Sequence, residues 1–451
     1  MDQFTPVLWP LILLPAQSLA HGGHMSAITL LIGQILAFDR SPFADDPQGA
    51  ARLHEALLIE NGRITALGTA QDLRAQAPQA TVTDMGTHLI TAGFVDAHVH
   101  YPQTAIIASW GKRLIEWLNT YTFPEEMRFA DPAYAAEIAT RYLDLMLAHG
   151  TTTCASYATI HPASVTAFFE AAQARGLRAV AGKTCMDRNA PDGLRDTAQS
   201  AYDDSKALLT RWHGVDRLSY AITPRFSPTS TPDQLAALGA LWSEYPDCLM
   251  QTHLSEQVDE VAWVKSLYPA ARDYLDTYES HGLLGARGLY GHAIYLDARE
   301  RDRLREVGAA LIHCPTSNTF IGSGCFNLAA RMAEGQRVGL ATDTGGGSSF
   351  SMLRTMAAAY EIGQLTGTAL HPAQLLWLAT AGSAEALHMG ARIGNIAPGM
   401  EADLVALDLA STRAIAQRSA RATDIWEALF PTIMMGDDRA IVGVWVAGKA
   451  V

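Results

Sequence analysis

Between residues 94 and 345, short apolar runs recur eight times, with stretches of helical periodicity between them. The runs are FVDAHVHY (94–101), TTTCASYA (151–158), RAVAGKTCM (178–186), LSYAITPRF (218–226), CLMQTHLSE (248–256), GLYGHAIYL (288–296), AALIHCPTSN (309–318) and RVGLATDTG (337–345). Segments such as AEIATRYLDLMLAHG (136–150), VTAFFEAAQARG (165–176) and PDQLAALGALWSEY (232–245) space their apolar residues for one buried helical face. Strand and helix alternating this often over about 250 residues predicts an α/β fold, a (β/α)8 TIM-like barrel. A doubly wound sheet would carry a Gly-rich phosphate loop after its first strand, and none follows residue 101. The connection 102–135 exceeds ordinary loop length and reads as the lid or wall of a site.

The flanks have another texture. Residues 27–90 alternate in short runs, and Asn61-Gly62 between two of them predicts a hairpin. The same texture returns in ADLVALDL (402–409) and RAIVGVWVAGKAV (439–451), so both termini are expected to pair into one small β domain. The expected boundaries are 25–90 and 396–451 for that domain, with the barrel at 91–395 between them. Residues 1–24 read as a leader, with Met25 the expected natural start. Their apolar run, Val7 to Ala20, holds Pro10 and Pro15, is too short to span a bilayer, and follows Asp2 rather than a basic residue.

Charge and cysteine usage narrow the function classes. Lys and Arg number 33 against 46 Asp and Glu, a net charge of −13, which lacks the basic footprint of a nucleic-acid binder and suits no anionic membrane surface. Five cysteines without a CxxC pair exclude a disulfide scaffold or a Cys-rich structural zinc site. The unusual resource is the fifteen histidines.

Several of those histidines stand at strand ends, where barrels of this kind place their chemistry. The first run ends His98-Val99-His100, and residues i and i+2 share one face of a strand, so both imidazoles can bind one metal. The fifth ends in His253 with Glu256 three residues on, the sixth carries His292, and the eighth ends in Asp343. Three histidines and one aspartate suit zinc or ferrous iron. A binuclear barrel hydrolase usually carries a carboxylated lysine at the end of strand four. Here that strand ends Thr223-Pro224-Arg225-Phe226, while Lys183 lies in strand three. One metal is therefore expected, with its bound water acidic enough to be hydroxide near pH ~7. His313, inside the seventh run, reads either as a site residue or as part of a loop-shaping HCPTSN.

GFVDAHVH, HLSE, GHAIYL and ATDTGGG, in this order, resemble the amidohydrolase superfamily and its metal-dependent deaminase branch. HVHYPQ (98–103), EWLNTYTFPEE (116–126), KTCMDRN (183–189), TPRFSP (223–228), THLSEQVDEV (252–261) and HCPTSN (313–318) are similar to guanine deaminases. The resemblance implies a barrel with a small β-sandwich formed by the N- and C-terminal segments. It also implies hydrolysis of guanine to xanthine and ammonia by a mononuclear zinc-bound hydroxide. His98, His100, His253 and Asp343 would ligate Zn2+ (or Fe2+), one ion per chain. Glu256 would shuttle protons, with Asp343 the second carboxyl, and His292 would hydrogen-bond the hydroxide. Gln103, Arg225 and Phe226 would meet the purine, with Trp117 as a wall. A cytoplasmic homodimer is expected, with no nucleic-acid or membrane partner. Two alternatives stand beside this: a relative acting on another aminated ring (an s-triazine, another purine or a pterin), and a non-catalytic scaffold. The deaminase fold marked by HxE and PCxxC is excluded, because neither motif occurs.

Overall fold

The structure is a computed structural model and describes residues 28–110 and 113–451. The leader expected at 1–24 lies outside the described residues. Four strands come first: β1 (Ile28–Phe38), β2 (Ala51–Glu60), β3 (Arg63–Gly68) and β4 (Thr81–Ala92). The central segment holds β5 (Phe94–Val99), β6 (Thr151–Tyr157), β7 (Arg178–Gly182), the two-residue β8 (Thr184–Cys185), β9 (Leu218–Pro224), β10 (Leu249–Leu254), β11 (Gly288–His292), β12 (Ala310–His313) and β13 (Arg337–Leu340). Last come β14 (Leu404–Leu407), β15 (Ile441–Val446) and β16 (Lys449–Ala450).

The terminal strands form one mixed sheet in the order β16-β15-β14-β4-β1-β2-β3. Asn61 and Gly62, both with positive φ (51° and 76°), make the two-residue turn that sets Glu60 opposite Arg63. Strand β14 joins the termini: Leu404 lies opposite Ala92 on one side and Trp445 on the other. Neighbouring residues serve opposite faces, as period-two geometry requires. Leu31 and Leu57 pack with Ile35, Ile59 and Trp445, whereas Leu30 and Leu58 pack with Leu73 and Ala77.

The central strands run parallel in the order β5-β6-β7-β9-β10-β11-β12-β13, with β8 beside β9. The third strand expected at 178–186 is broken at Lys183 into β7 and β8. Beyond the ladder, the two ends of the sheet are tied together. Asp343 N–H donates to the His98 carbonyl and His100 N–H to the Thr344 carbonyl, both at 3.0 Å. The expected helices lie at Pro132–Ala148, Pro162–Ala174 and Pro232–Glu244, each opening on a proline whose missing N–H costs nothing in the first turn. Asp131 and Thr231 cap two of them. Their buried faces build the outer core around Tyr142, Phe168, Phe169 and Trp242.

Two helices between β14 and β15, Arg413–Ser419 and Ile425–Met435, gave no sign in the strand texture of the C-terminal segment. HCPTSN is not a loop: Pro315–Phe320 is helical, with the proline at its first turn. Among the described residues no helix is long and apolar enough to cross a membrane.

Candidate active site

Inside the barrel, Val95, Ala155, Val180, Ala221, Leu249, Leu289 and Ile312, one from each of seven strands, form an apolar floor closed by Leu387, Met389 and Ile393. Above it Gln251 donates to the Ser156 carbonyl (3.0 Å) and to Thr223 Oγ1 (3.1 Å). Simple alternation from Leu249 carries β10 inward through Gln251 to His253. In β5 the same count from Val95 and Ala97 would turn His98 and His100 outward. A break in the β5/β6 register between Asp96 and Val99 reverses this, and Val99 joins the outer core instead. His292, one residue past Gly291, is turned by a left-handed backbone (φ 65°). Ser255 (φ 49°) and Asp343 (φ 50°) are left-handed as well. Three strand ends around one site thus hold non-glycine residues in a conformation that costs free energy and persists only under tertiary constraint.

Four donor atoms converge there. His100 Nε2 is 3.1 Å from His253 Nε2, and Asp343 Oδ1 is 3.5 Å from His98 Nε2 and 3.6 Å from His100 Nε2. Ligands about 2.0–2.1 Å from a tetrahedral ion stand about 3.3 Å apart, so these spacings fit one ion. His98 Nε2 and Asp343 Oδ1 are buried and have no hydrogen-bond partner, a costly state that a cation would relieve. Burial, reinforced by neighbouring positive charge, pushes the His98, His100 and His253 pKa values well down, so the imidazoles are neutral and their lone pairs free. His253 Nδ1 lies 2.7 Å from the Arg225 carbonyl, which makes that nitrogen the donor and leaves Nε2 for a metal. Gly291 permits the arrangement: a Cβ there would fall 2.8 Å from His98 Cε1.

No lysine among the described residues lines this site, and Lys183 is held elsewhere by Asp196 at 2.6 Å. Elemental analysis is therefore expected to give about one tightly held divalent ion per chain, without activation by bicarbonate. Two tightly bound ions would overturn the single-site geometry.

Around the donors lies a cavity of about 420 Å³ lined by His100, Gln103, Leu114, Trp117, Leu118, Arg225, Phe226, His253, Glu256, His292, Ile321, Asp343 and Gly346. Nine of the ten site residues expected from the sequence line it. The tenth, His98, packs against the His253 and His292 rings with centroids 4.8 and 5.5 Å away. Trp117, Leu114 and Leu118 come from the long connection after β5, which is therefore a wall. Glu256 Oε1 accepts from Ser323 (2.6 Å), and its Oε2 stands 3.5 Å from His292 Nε2. Burial pushes the Glu256 carboxyl up to about 7. The Asp343 carboxyl also rises to about 7 by burial, and a divalent ion beside it would reverse that. His292 Nδ1 is 2.8 Å from Asn318 Oδ1, which makes Nδ1 a donor and leaves Nε2 facing the cavity.

Sequence reasoning assigned no part to Glu126, Tyr157, Cys314, Asn318 or Ser323. Glu126 lies behind the cavity wall and pairs with Arg225 at 2.6 Å. The Tyr157 ring packs 4.7 Å from both His98 and His100, and Cys314 stands close enough to His98, His292 and Asp343 to join a ligand group. Glu126 and Asn318 were within quoted motifs, YTFPEE and HCPTSN, so the signal was present without a role attached. Ser323 lay in no motif. His313 does not line the cavity; it is buried against Phe326 at 4.8 Å, and burial drops its pKa to about 3.

Residues 89–451 match the family model described as "Amidohydrolase family", and residues 56–80 one described as "Imidazolonepropionase-like composite domain, bacteria". Guanine deaminase of Escherichia coli (strain K12) is 44% identical over 396 residues, covering 88% of this chain and 90% of the relative. The solved structure of E. coli guanine deaminase is similar with a TM-score of 0.90 at 41% identity, covering 94% of this chain and 99% of that one. Guanine deaminase from C. acetobutylicum, solved with guanine bound in its active site, gives a TM-score of 0.86 at 26% identity over 94% of this chain and 100% of that one.

Proposed function

We infer that this chain, which belongs to the amidohydrolase family, is a guanine deaminase that hydrolyses guanine to xanthine and ammonia. The observation that carries this reading is one cavity, lined by buried side chains, that joins a cation donor set to Gln103 and Arg225.

We assign His98, His100, His253 and Asp343 as ligands of a single zinc ion, which supplies Lewis-acid activation of water at neutral pH. Glu256 takes one proton of the attacking water and passes it to a purine ring nitrogen; it then carries the remaining hydroxyl proton to the amine, so that the C–N bond breaks, ammonia leaves and the carbonyl forms. A carboxyl with a pKa of about 7 can do both near neutral pH. His292 orients the water through its Nε2. Arg225 donates to the 6-oxo group, Gln103 meets the adjacent edge, and Phe226 and Trp117 bound the ring faces. The same reading makes the enzyme a cytoplasmic homodimer.

Ammonia release from guanine, adenine, cytosine and melamine tests the assignment. Turnover of guanine is expected, and turnover of melamine without guanine would overturn it. Arg225→Ala is expected to lower kcat/KM for guanine by about 1–3 kcal/mol of transition-state binding, roughly 5- to 150-fold, with metal content unchanged. The variant also leaves the Glu126 carboxylate buried without its cation, so thermal stability should fall by about 3–5 kcal/mol. Kinetics equal to wild type would place Arg225 outside substrate binding.

A further inference from the structure

We propose that Glu126 is a positioning residue that sets the hydrogen-bond polarity of the purine subsite, so that the enzyme selects a 6-oxo purine over a 6-amino one. The proposal rests on the reading of this cavity as a guanine site.

Glu126 is 1% exposed and does not line the cavity. It reaches two polar residues that do, Arg225 and Gln103. Oε2 accepts from Arg225 Nη1 at 2.6 Å. Oε1 accepts from Arg225 Nη2 at 3.1 Å and from Gln103 Nε2 at 3.0 Å. A carboxylate only accepts, whereas a glutamine amide offers a donor on one side and an acceptor on the other. Only one of the two amide orientations satisfies Glu126, the one with the Gln103 NH2 toward it. The carbonyl Oε1 then faces the other way, and it is buried with no partner. Gly345 makes room for that oxygen: with φ +118° it carries no Cβ, and a Cβ there would lie 2.0 Å from Gln103 Oε1. Of the five N–H groups of Arg225, two point to Glu126 and the rest remain for other acceptors.

Gln103 and Arg225 both line the cavity, and on this proposal the Gln103 Oε1 is the fixed acceptor that a bound purine meets next to the Arg225 donors. Guanine matches this with its N1–H donor beside the 6-oxo acceptor. A 6-amino purine reverses both signs: its N1 lone pair meets the Gln103 carbonyl, and its amino group meets the guanidinium. A site that leaves buried polar groups facing their own kind discriminates strongly. Without the carboxylate, the Gln103 amide is free to turn over and meet either pattern.

The experiment compares guanine with 2,6-diaminopurine, used as a competitor of guanine turnover. In Glu126→Gln the KM for guanine is expected to rise about 10-fold or more, while kcat stays within about threefold, because Glu256, His292 and the metal ligands are untouched. Metal content should match wild type. The ratio of the 2,6-diaminopurine Ki to the guanine KM is expected to fall at least about 10-fold. Loss of affinity for both bases by the same factor, with the ratio unchanged, would mark Glu126 as merely structural and overturn the proposal. Where Glu126→Gln does not fold, Glu126→Asp keeps a charge beside Arg225 and shortens the reach to Gln103. It is expected to lower the same ratio about threefold, and a wild-type ratio overturns the proposal. Failure of the underlying reading shows separately, as a wild-type enzyme that does not act on guanine.

Discussion

His98→Ala is expected to release the metal and to lower guanine turnover by roughly 10⁴-fold or more. His98 Nε2 lies 3.5 Å from Asp343 Oδ1, is buried, and has no partner among the described residues. It has no hydrogen-bonding task that would survive without a cation. Its removal takes away one of the three imidazole donors and leaves two imidazoles and one carboxylate, a set that binds the ion more weakly. Metal analysis of the purified variant should give well under one ion per chain. Chelation of the wild type should reproduce the loss, and added zinc should restore activity to the wild type alone. A variant that retains a full equivalent of metal would show that His98 is not a ligand.

Glu256→Gln is expected to keep the metal and lose roughly 10²-fold or more in kcat. The amide preserves shape and can still accept from Ser323 through its carbonyl, at the 2.6 Å contact Glu256 now makes. It cannot carry a proton from water to the purine. The wild type should also lose kcat/KM as pH falls below about 7, because burial raises the Glu256 carboxyl to that value and a protonated group cannot act as the base. The acid limb should disappear from the residual activity of the variant. Loss of metal from Glu256→Gln would instead make Glu256 a ligand.

Much of the molecule could be read from residues close together along the chain. Asn61-Gly62 specified a hairpin because only residues tolerant of positive φ make that turn. Apolar spacing located the helices at Pro132–Ala148, Pro162–Ala174 and Pro232–Glu244. The strand alternation implied that His98 and His100 share a face, and recurrence at strand ends brought His253, His292 and Asp343 to the same end of the barrel.

Other features were decided by tertiary structure. Which face His98 and His100 share, interior or exterior, depends on the register break between Asp96 and Val99, which hydrophobic alternation does not record. The inward turn of His292 rests on a left-handed backbone that only surrounding packing can hold. Glu126 reaches Arg225 across 99 residues of chain, Ser323 reaches Glu256 across 67, and Asn318 reaches His292 across 26. Sequence by itself determined the order of the barrel strands, the helices with clear apolar spacing and the residues at the strand ends, because periodicity and turn chemistry act between near neighbours. Tertiary structure alone decided which loop residue stands behind each functional group, because those pairings arise only when distant segments are packed together and each buried polar atom must find a partner.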